Sequence, residues 1–332
     1  MRFSQKAAHN AAFFVEIIKT VFLLGYTGKV VMLKSLAVLV FAAACGSARA
    51  AVPEPDVLIN DQGMQVVINL PQTRLFLYQD GVLLRSFPVA VGKMLTKTPT
   101  GSFDVTGIYR DPSWHVPKSI QEEMRAQGKP VLTVVPPGDK NPLGRVFIRF
   151  GEPGLGLGIH GTNAPSSVPG FRSHGCVRMK NPDVAELSGL VSVGAAVTVT
   201  YQAILLNLDD NGQLWMTAYR NLYQHDDVSM PLLAQVLLGW QREHGVAIFG
   251  KRVNQALAVR DGKPVCLTCR SANVPFANRN LTALRWLSSP PDSEPTVATR
   301  SNASQPEVAH PERAPQDHKS TSVEQHSARA PI

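Results

Sequence analysis

Residues Met64–Val91 read MQVVINLPQTRLFLYQDGVLLRSFPVAV. Within this stretch Met64–Asn69 and Arg74–Tyr78 are short runs of the β-branched, aliphatic and aromatic residues that suit a pleated, half-buried surface. Gln79-Asp80-Gly81 separates the second run from Val82–Val91. An Asp-Gly between alternating apolar segments predicts a hairpin, because a tight hairpin turn needs positive φ at both central positions.

Outward from this meander, further strands read at Gly101–Gly107, Val131–Val135, Arg145–Phe150, Gly156–His160 and Ala195–Tyr201. Two helices interrupt them. Pro117 opens one that runs through Arg125, with Gly128 beyond its end. Asn181 is expected to cap the other, with Pro182 at its first position and Asp183 and Glu186 in its first turns. The pattern predicts a mainly β domain over 64–201. Past Tyr201, Leu208-Asp-Asp-Asn-Gly-Gln-Leu-Trp215 reads as a small hairpin and Met230–Glu243 as an amphipathic helix, so 202–287 is expected to form a small α+β C-terminal extension. From Ser288 the chain is rich in Ser, Pro, Ala, Glu and His, with almost no large apolar residue. Such a segment buries too little surface to offset its ordering entropy, so 288–332 is expected to be a disordered tail.

A hydrophobic fraction of 44% supports a buried core over the rest of the 332 residues. The formal charge of +8 invites a nucleic-acid reading, but its distribution argues against one. Six basic residues and one acid lie in residues 1–50, and removing them leaves 27 basic against 24 acidic residues. No block of like charge remains to form an electrostatic footprint, so no nucleic-acid partner is expected.

Those first fifty residues carry a leader. Met32-Leu-Lys34 is followed by ten apolar residues, Leu36–Cys45, and then Gly46-Ser-Ala-Arg-Ala50. A basic start, a short apolar core and an Ala-x-Ala site predict a signal peptide cleaved after Ala50. The run is too short to span a bilayer, which needs about 20 residues. Export to the periplasm is the expectation, with translation starting at Met32 as one account of residues 1–31. Lipid anchoring at Cys45 is the alternative, although Ala42 stands where a bacterial lipobox usually has a large aliphatic residue.

Export sorts the four cysteines. Cys45 leaves with the leader or carries lipid. Cys266 and Cys269, spaced C-x-x-C, are natural disulfide partners in an oxidising compartment. Cys176 is then the odd thiol, and a leftover thiol in an exported chain is a candidate nucleophile. Around it, Ile159–Met179 reads IHGTNAPSSVPGFRSHGCVRM, two histidines bracketing a Gly- and Pro-rich loop that ends at the cysteine. A thiol attacks as thiolate, and a neighbouring imidazole can take its proton. The glycine before Cys176 lets the backbone approach a substrate carbonyl, where successive N–H groups could hold an oxyanion.

His160-Gly161-Thr162, a loop, and then Ser173-His174-Gly175-Cys176-Val177-Arg178-Met179 resemble the signature of L,D-transpeptidase (YkuD) domains, in particular the Gram-negative ErfK/YbiS/YcfS/YnhG branch. Supporting segments follow in the family's order: Thr98-Pro-Thr-Gly101, Pro112-Ser-Trp114, Asn141-Pro-Leu-Gly144 and Val193-Gly194. The resemblance covers Met64 to Tyr201. It implies a β-sandwich-like catalytic domain with short helices and one cleft, free of metal and cofactor. It implies Cys176 as nucleophile and His160 as general base, with the Gly161 carbonyl orienting the imidazole. His174 would line the site, Gly175 and Cys176 would supply oxyanion N–H groups with Ser173 in support, and Arg178 would face a substrate carboxylate or clamp the loop. The implied substrate is a tetrapeptide stem of peptidoglycan, which would acylate the cysteine with loss of D-alanine. The acceptor amine would come from another stem or from an outer-membrane lipoprotein; with water instead, the enzyme would be an L,D-carboxypeptidase.

Other readings differ in kind. A non-catalytic wall-binding module would not need both His160 and Cys176. Zinc at His160, His174 and Cys176 lacks a familiar ligand spacing, and Cys266-x-x-Cys269 has no second pair to complete a ribbon. A thiol–disulfide oxidoreductase centred on Cys266 and Cys269 lacks the surrounding βαβ pattern.

Overall fold

The computed structural model describes residues 52–225, 229–272, 274–276 and 279–287. The leader with Cys45 and the segment 288–332 read as a tail lie outside the described residues.

Strands β1 (Met64–Asn69), β2 (Arg74–Gln79) and β3 (Val82–Pro88) form the antiparallel meander that the opening stretch implies. Asp80 and Gly81 both have positive φ, 48° and 80°, the backbone of a type I′ turn. They are joined by β4 (Ala90–Gly92), β5 (Gly101–Arg110), β6 (Trp114–His115), β7 (Val134–Val135), β8 (Val146–Phe150), β9 (Gly158–His160), β10 (Gly170–Ser173), β11 (Val177–Arg178) and β12 (Ala196–Thr200). Ten of these strands make one ladder, in the order β10-β4-β11-β9-β8-β5-β12-β1-β2-β3.

The ladder curls at β5. Its first residues, Gly101–Asp104, pair with β12, and Val105–Arg110 pair with β8, with a register shift between Val105 and Gly107. A bulge of this kind bends a strand and lets it serve two sheets. The two halves then face each other across a core that includes Val66, Ile68, Leu75 and Val197 on one side and Ile148, Phe150, Ile159 and Val177 on the other. Helix α2 (Asn181–Leu190) closes the core with Val184 and Leu187. The fold is mainly β, with large curled sheets and few short helices.

Two elements depart from expectation. Only Val134–Val135 of the run Val131–Val135 is strand, and it pairs with Trp114–His115 in a separate two-stranded ribbon. That ribbon and helix α1 (Lys118–Ala126), which buries no residue, form a flap held by Asn141. The Asn141 amide donates to the carbonyls of Pro112, Val135 and Pro136. Asn181 does not cap α2. It is the first helical residue, and its side chain turns away to Thr162.

Beyond Tyr201 the expected hairpin is part of a four-stranded sheet: β13 (Ile204–Leu208), β14 (Leu214–Ala218), β15 (Val265–Cys266) and β16 (Thr282–Ala283), ordered β15-β14-β13-β16. Helices α3 (Met230–His244) and α4 (Gly250–Val259) cover it around Leu214, Met216, Leu233 and Trp240. Cys266 and Cys269 are joined by a disulfide. Asp56 laces this part to the rest, its Oδ2 accepting from the N–H groups of Trp286 and Leu287 while its own N–H donates to Gln202.

Candidate active site

β9 and β11 are parallel neighbours, with Ile159 opposite Val177 and His160 opposite Arg178. Side chains alternate across a strand. Ile159 and Val177 point into the core, fully buried, so His160 and Arg178 share the other face, and Cys176, one residue before β11, joins them. Short-range pairing thus brings together residues separated by a loop of more than a turn's length.

His160 is almost wholly buried. Its Nδ1 lies 2.6 Å from the carbonyl oxygen of Gly161. A carbonyl only accepts, so Nδ1 carries the proton and Nε2 presents its lone pair. Burial and, to a lesser degree, the positive charge of Arg178 push the imidazole down to about 4, against the opposing effect of the Gly161 hydrogen bond. Phe147 lies against the ring, its centroid 6.3 Å away.

The Cys176 thiol is half-buried and donates to the Gly156 carbonyl at 3.3 Å. Desolvation raises it above the ordinary cysteine value, opposed by a hydrogen bond with the Gly158 backbone and by the Arg178 charge. The depressed imidazole and the elevated thiol both favour their neutral forms.

The loop before Cys176 is clasped. Ser173 Oγ donates to the Cys176 carbonyl at 2.5 Å and accepts from Gly175 N–H at 3.2 Å. Gly175 has φ 118°, a conformation that side-chain-bearing residues rarely adopt. The turn at Gly175 directs its N–H to the Ser173 hydroxyl. Thr98 Oγ1 donates to the Gly175 carbonyl at 2.8 Å.

His174 does not converge on His160. Its Nε2 lies 3.1 Å from Glu123 of the flap and 3.3 Å from Lys93 Nζ, which ties the loop to α1. Arg178 donates through Nη1 to Ser167 at 2.9 Å. Among the described residues no group of three or more His, Cys, Asp or Glu could hold a metal ion.

The His-Gly-Thr loop is fixed from α2. Asn181 accepts from Thr162 N–H at 2.9 Å and donates to the Thr162 carbonyl at 3.0 Å. A Cβ on Gly161 would stand 2.2 Å from the Asn181 Oδ1, so any larger residue there would push aside the amide that holds Thr162.

Residues 63–199 match the model of the L,D-transpeptidase catalytic domain, YkuD. YqjB of Bacillus subtilis, assigned by name to that family, is 35% identical over 138 residues, covering 41% of this chain and 70% of YqjB. The chain belongs to the L,D-transpeptidase family. A Salmonella typhimurium protein named as a probable L,D-transpeptidase, ErfK/SrfK, is 28% identical over 224 residues, 64% of this chain and 70% of that one. ErfK, YcfS and YbiS relatives place it with the Gram-negative branch. An L,D-transpeptidase from Mycobacterium smegmatis superposes with a TM-score of 0.34 at 22% identity, over 41% of this chain and 58% of that chain, less than two thirds of its length.

Thr98, Lys93, Glu123 and Asn181 also bear on the site, and sequence reasoning gave none of them a role there. Thr98 stood in a segment recognised only for its family order, and Asn181 in a helix-start pattern that satisfied a simpler reading.

Proposed function

We propose that this L,D-transpeptidase works on peptidoglycan stems with Cys176 as nucleophile. The observation that carries the reading is the hydrogen bond from His160 Nδ1 to Gly161, which leaves a neutral, buried Nε2 on the face shared with Cys176. On rotation away from Gly156, Cys176 attacks the carbonyl of the bond between diaminopimelate and the terminal D-alanine of a tetrapeptide stem. His160 takes the thiol proton as the sulfur–carbon bond forms, and Cys176 N–H stabilises the oxyanion. The C–N bond breaks, His160 returns the proton to the departing D-alanine, and a thioester remains. An amine then attacks, giving its proton to His160 and thence to the departing sulfur. Arg178, on the same face, suits a substrate carboxylate. The acceptor is an amine of another stem or of an outer-membrane lipoprotein. The chain acts after export to the periplasm, where the Cys266–Cys269 disulfide suits the redox conditions.

The test is covalent. Incubated with a carbapenem, the full chain should gain an acyl adduct on Cys176 by mass spectrometry, and Cys176→Ala should gain none. Tetrapeptide muropeptides should lose D-alanine, with a cross-linked product only when an acceptor amine is present. Absence of both adduct and turnover overturns the reading; turnover to tripeptide alone, with amine present, makes the chain an L,D-carboxypeptidase.

A further inference from the structure

Tyr223 lies beyond the matched domain, in the turn that follows β14, yet its side chain reaches the nucleophile's loop. The ring is 3% exposed, stacked on Tyr201 at 5.1 Å and edge-on to Phe171 at 5.4 Å. Its hydroxyl donates to the Gly92 carbonyl at 2.7 Å and accepts from Thr98 N–H at 3.1 Å. Its own backbone is held as well, with the N–H donating to Tyr201 Oη at 2.9 Å and the carbonyl accepting from Lys97 Nζ at 3.0 Å. Thr98 continues the chain of contacts. Its hydroxyl accepts from Gly92 N–H at 2.9 Å and donates to the Gly175 carbonyl at 2.8 Å.

That carbonyl belongs to the same planar peptide unit as the N–H of Cys176. Fixing the oxygen fixes the direction of the N–H, which points to the opposite side of the trans peptide. We infer that Tyr223 is a positioning residue for the reaction: through Thr98 it sets the orientation of the Gly175–Cys176 peptide and hence of the Cys176 oxyanion donor. The C-terminal extension thereby completes the acylation machinery from outside the catalytic domain. This rests on the reading of Cys176 as the acylated nucleophile.

Oxyanion stabilisation matters for acyl transfer and not for simple alkylation of a thiol. In the full chain, Tyr223→Phe is expected to slow carbapenem acylation of Cys176 roughly tenfold, since loosened geometry costs less than outright loss of a donor. The rate of alkylation by iodoacetamide and its pH dependence should stay as in wild type. Thr98→Val should match Tyr223→Phe, the double variant should be no slower than either, and Thr98→Ser should restore acylation. Equal acylation rates in wild type and Tyr223→Phe overturn the inference alone. So does a parallel loss of acylation and alkylation, which marks general damage. A wild-type chain that is alkylated but never acylated overturns the transferase reading and this inference with it.

Discussion

The face between β9 and β11 and the four-stranded sheet beyond Tyr201 hold their polar groups in different ways. On the catalytic face, backbone register does most of the placing: His160 opposite Arg178 follows from two short strands, and the side chains there keep spare valences, the Nε2 of His160 among them. In the extension two charged groups, Asp209 and Arg252, are saturated by several partners each, although Asn207, Thr217, Trp240 and Trp286 each keep one buried polar atom without a partner among the described residues. Asp209 accepts from Asn211 N–H, Gln213 N–H and Trp215 Nε1 and pairs with Arg279 at 2.6 Å. The Arg252 guanidinium donates to the carbonyls of Cys266, Cys269 and Arg270. Saturated groups stabilise and do nothing else; chemistry needs a group left partly unsatisfied and held in place. Tyr223 lies where these two economies meet.

The largest expected effect breaks the catalytic side. His160→Gln keeps a polar side chain of similar reach but removes the base, and acylation should slow by about 10²–10⁴-fold. The pH profile sharpens the point. With His160 depressed to about 4, the base-competent neutral form persists well below the ordinary histidine value of 6.5, so the acid limb of acylation should lie near pH 4 and activity should fall only as pH drops through it. Stability follows the same sign. The folded state binds the proton less readily than the unfolded chain, so this contribution is complete above about pH 6.5 and is lost as pH falls toward 4. His160→Gln should flatten that part of the stability curve. An acid limb near 6.5 in the wild type would mean that the ring is not desolvated in solution.

How much of this was legible in the sequence depends on how local the signal is. The β1–β3 meander is written in adjacent residues, in apolar runs and an Asp-Gly turn, and it forms as read. Cys176 and His160 stood out through cysteine count and motif. Strands β10 and β11, four and two residues long, carry too few residues to show a period, although they build the site. Asn181-Pro182 gives the same local pattern whether the asparagine caps its own helix or reaches a loop 19 positions away. Tyr223 had no local signal at all, because the groups its hydroxyl meets lie 125 and 131 residues back in the chain.

Two substitutions of middling size set the regions side by side. Asp209→Ala leaves Arg279 and three donors without their acceptor and should cost about 3–4 kcal/mol, as breaking a buried ion pair does. Asp209 sits at the end of the β13–β14 hairpin opposite Tyr219 and Tyr223, so acylation per folded molecule should be unchanged. Asn181→Ala should cost less in stability, about 2 kcal/mol for the two unpaired groups of Thr162. Acylation should nonetheless slow roughly tenfold, because the Gly161 carbonyl that orients His160 loses its support. Thermal denaturation paired with adduct formation separates the two. If Asp209→Ala slowed acylation more than Asn181→Ala did, the division between a stabilising extension and a positioned site would be wrong.

The smallest effect concerns the disulfide. Cys266 and Cys269 are three positions apart, and a loop that short restricts the unfolded chain little, so the bond should be worth at most about 2 kcal/mol. The Arg252 guanidinium, which binds the carbonyls of Cys266 and Cys269, and the pairing of Cys266 with Trp215 across β14 and β15 hold the same loop without it. Reducing the bond, or replacing both residues in Cys266→Ser with Cys269→Ser, should therefore lower Tm by a few degrees and leave carbapenem acylation of Cys176 where it was. A rate that followed the redox state of this pair would couple the extension to the nucleophile by a route other than Tyr223 and would revive a redox role for the C-x-x-C loop. Measured in oxidised and reduced protein with Cys176 kept reduced in both, an unchanged rate confines that loop to stability.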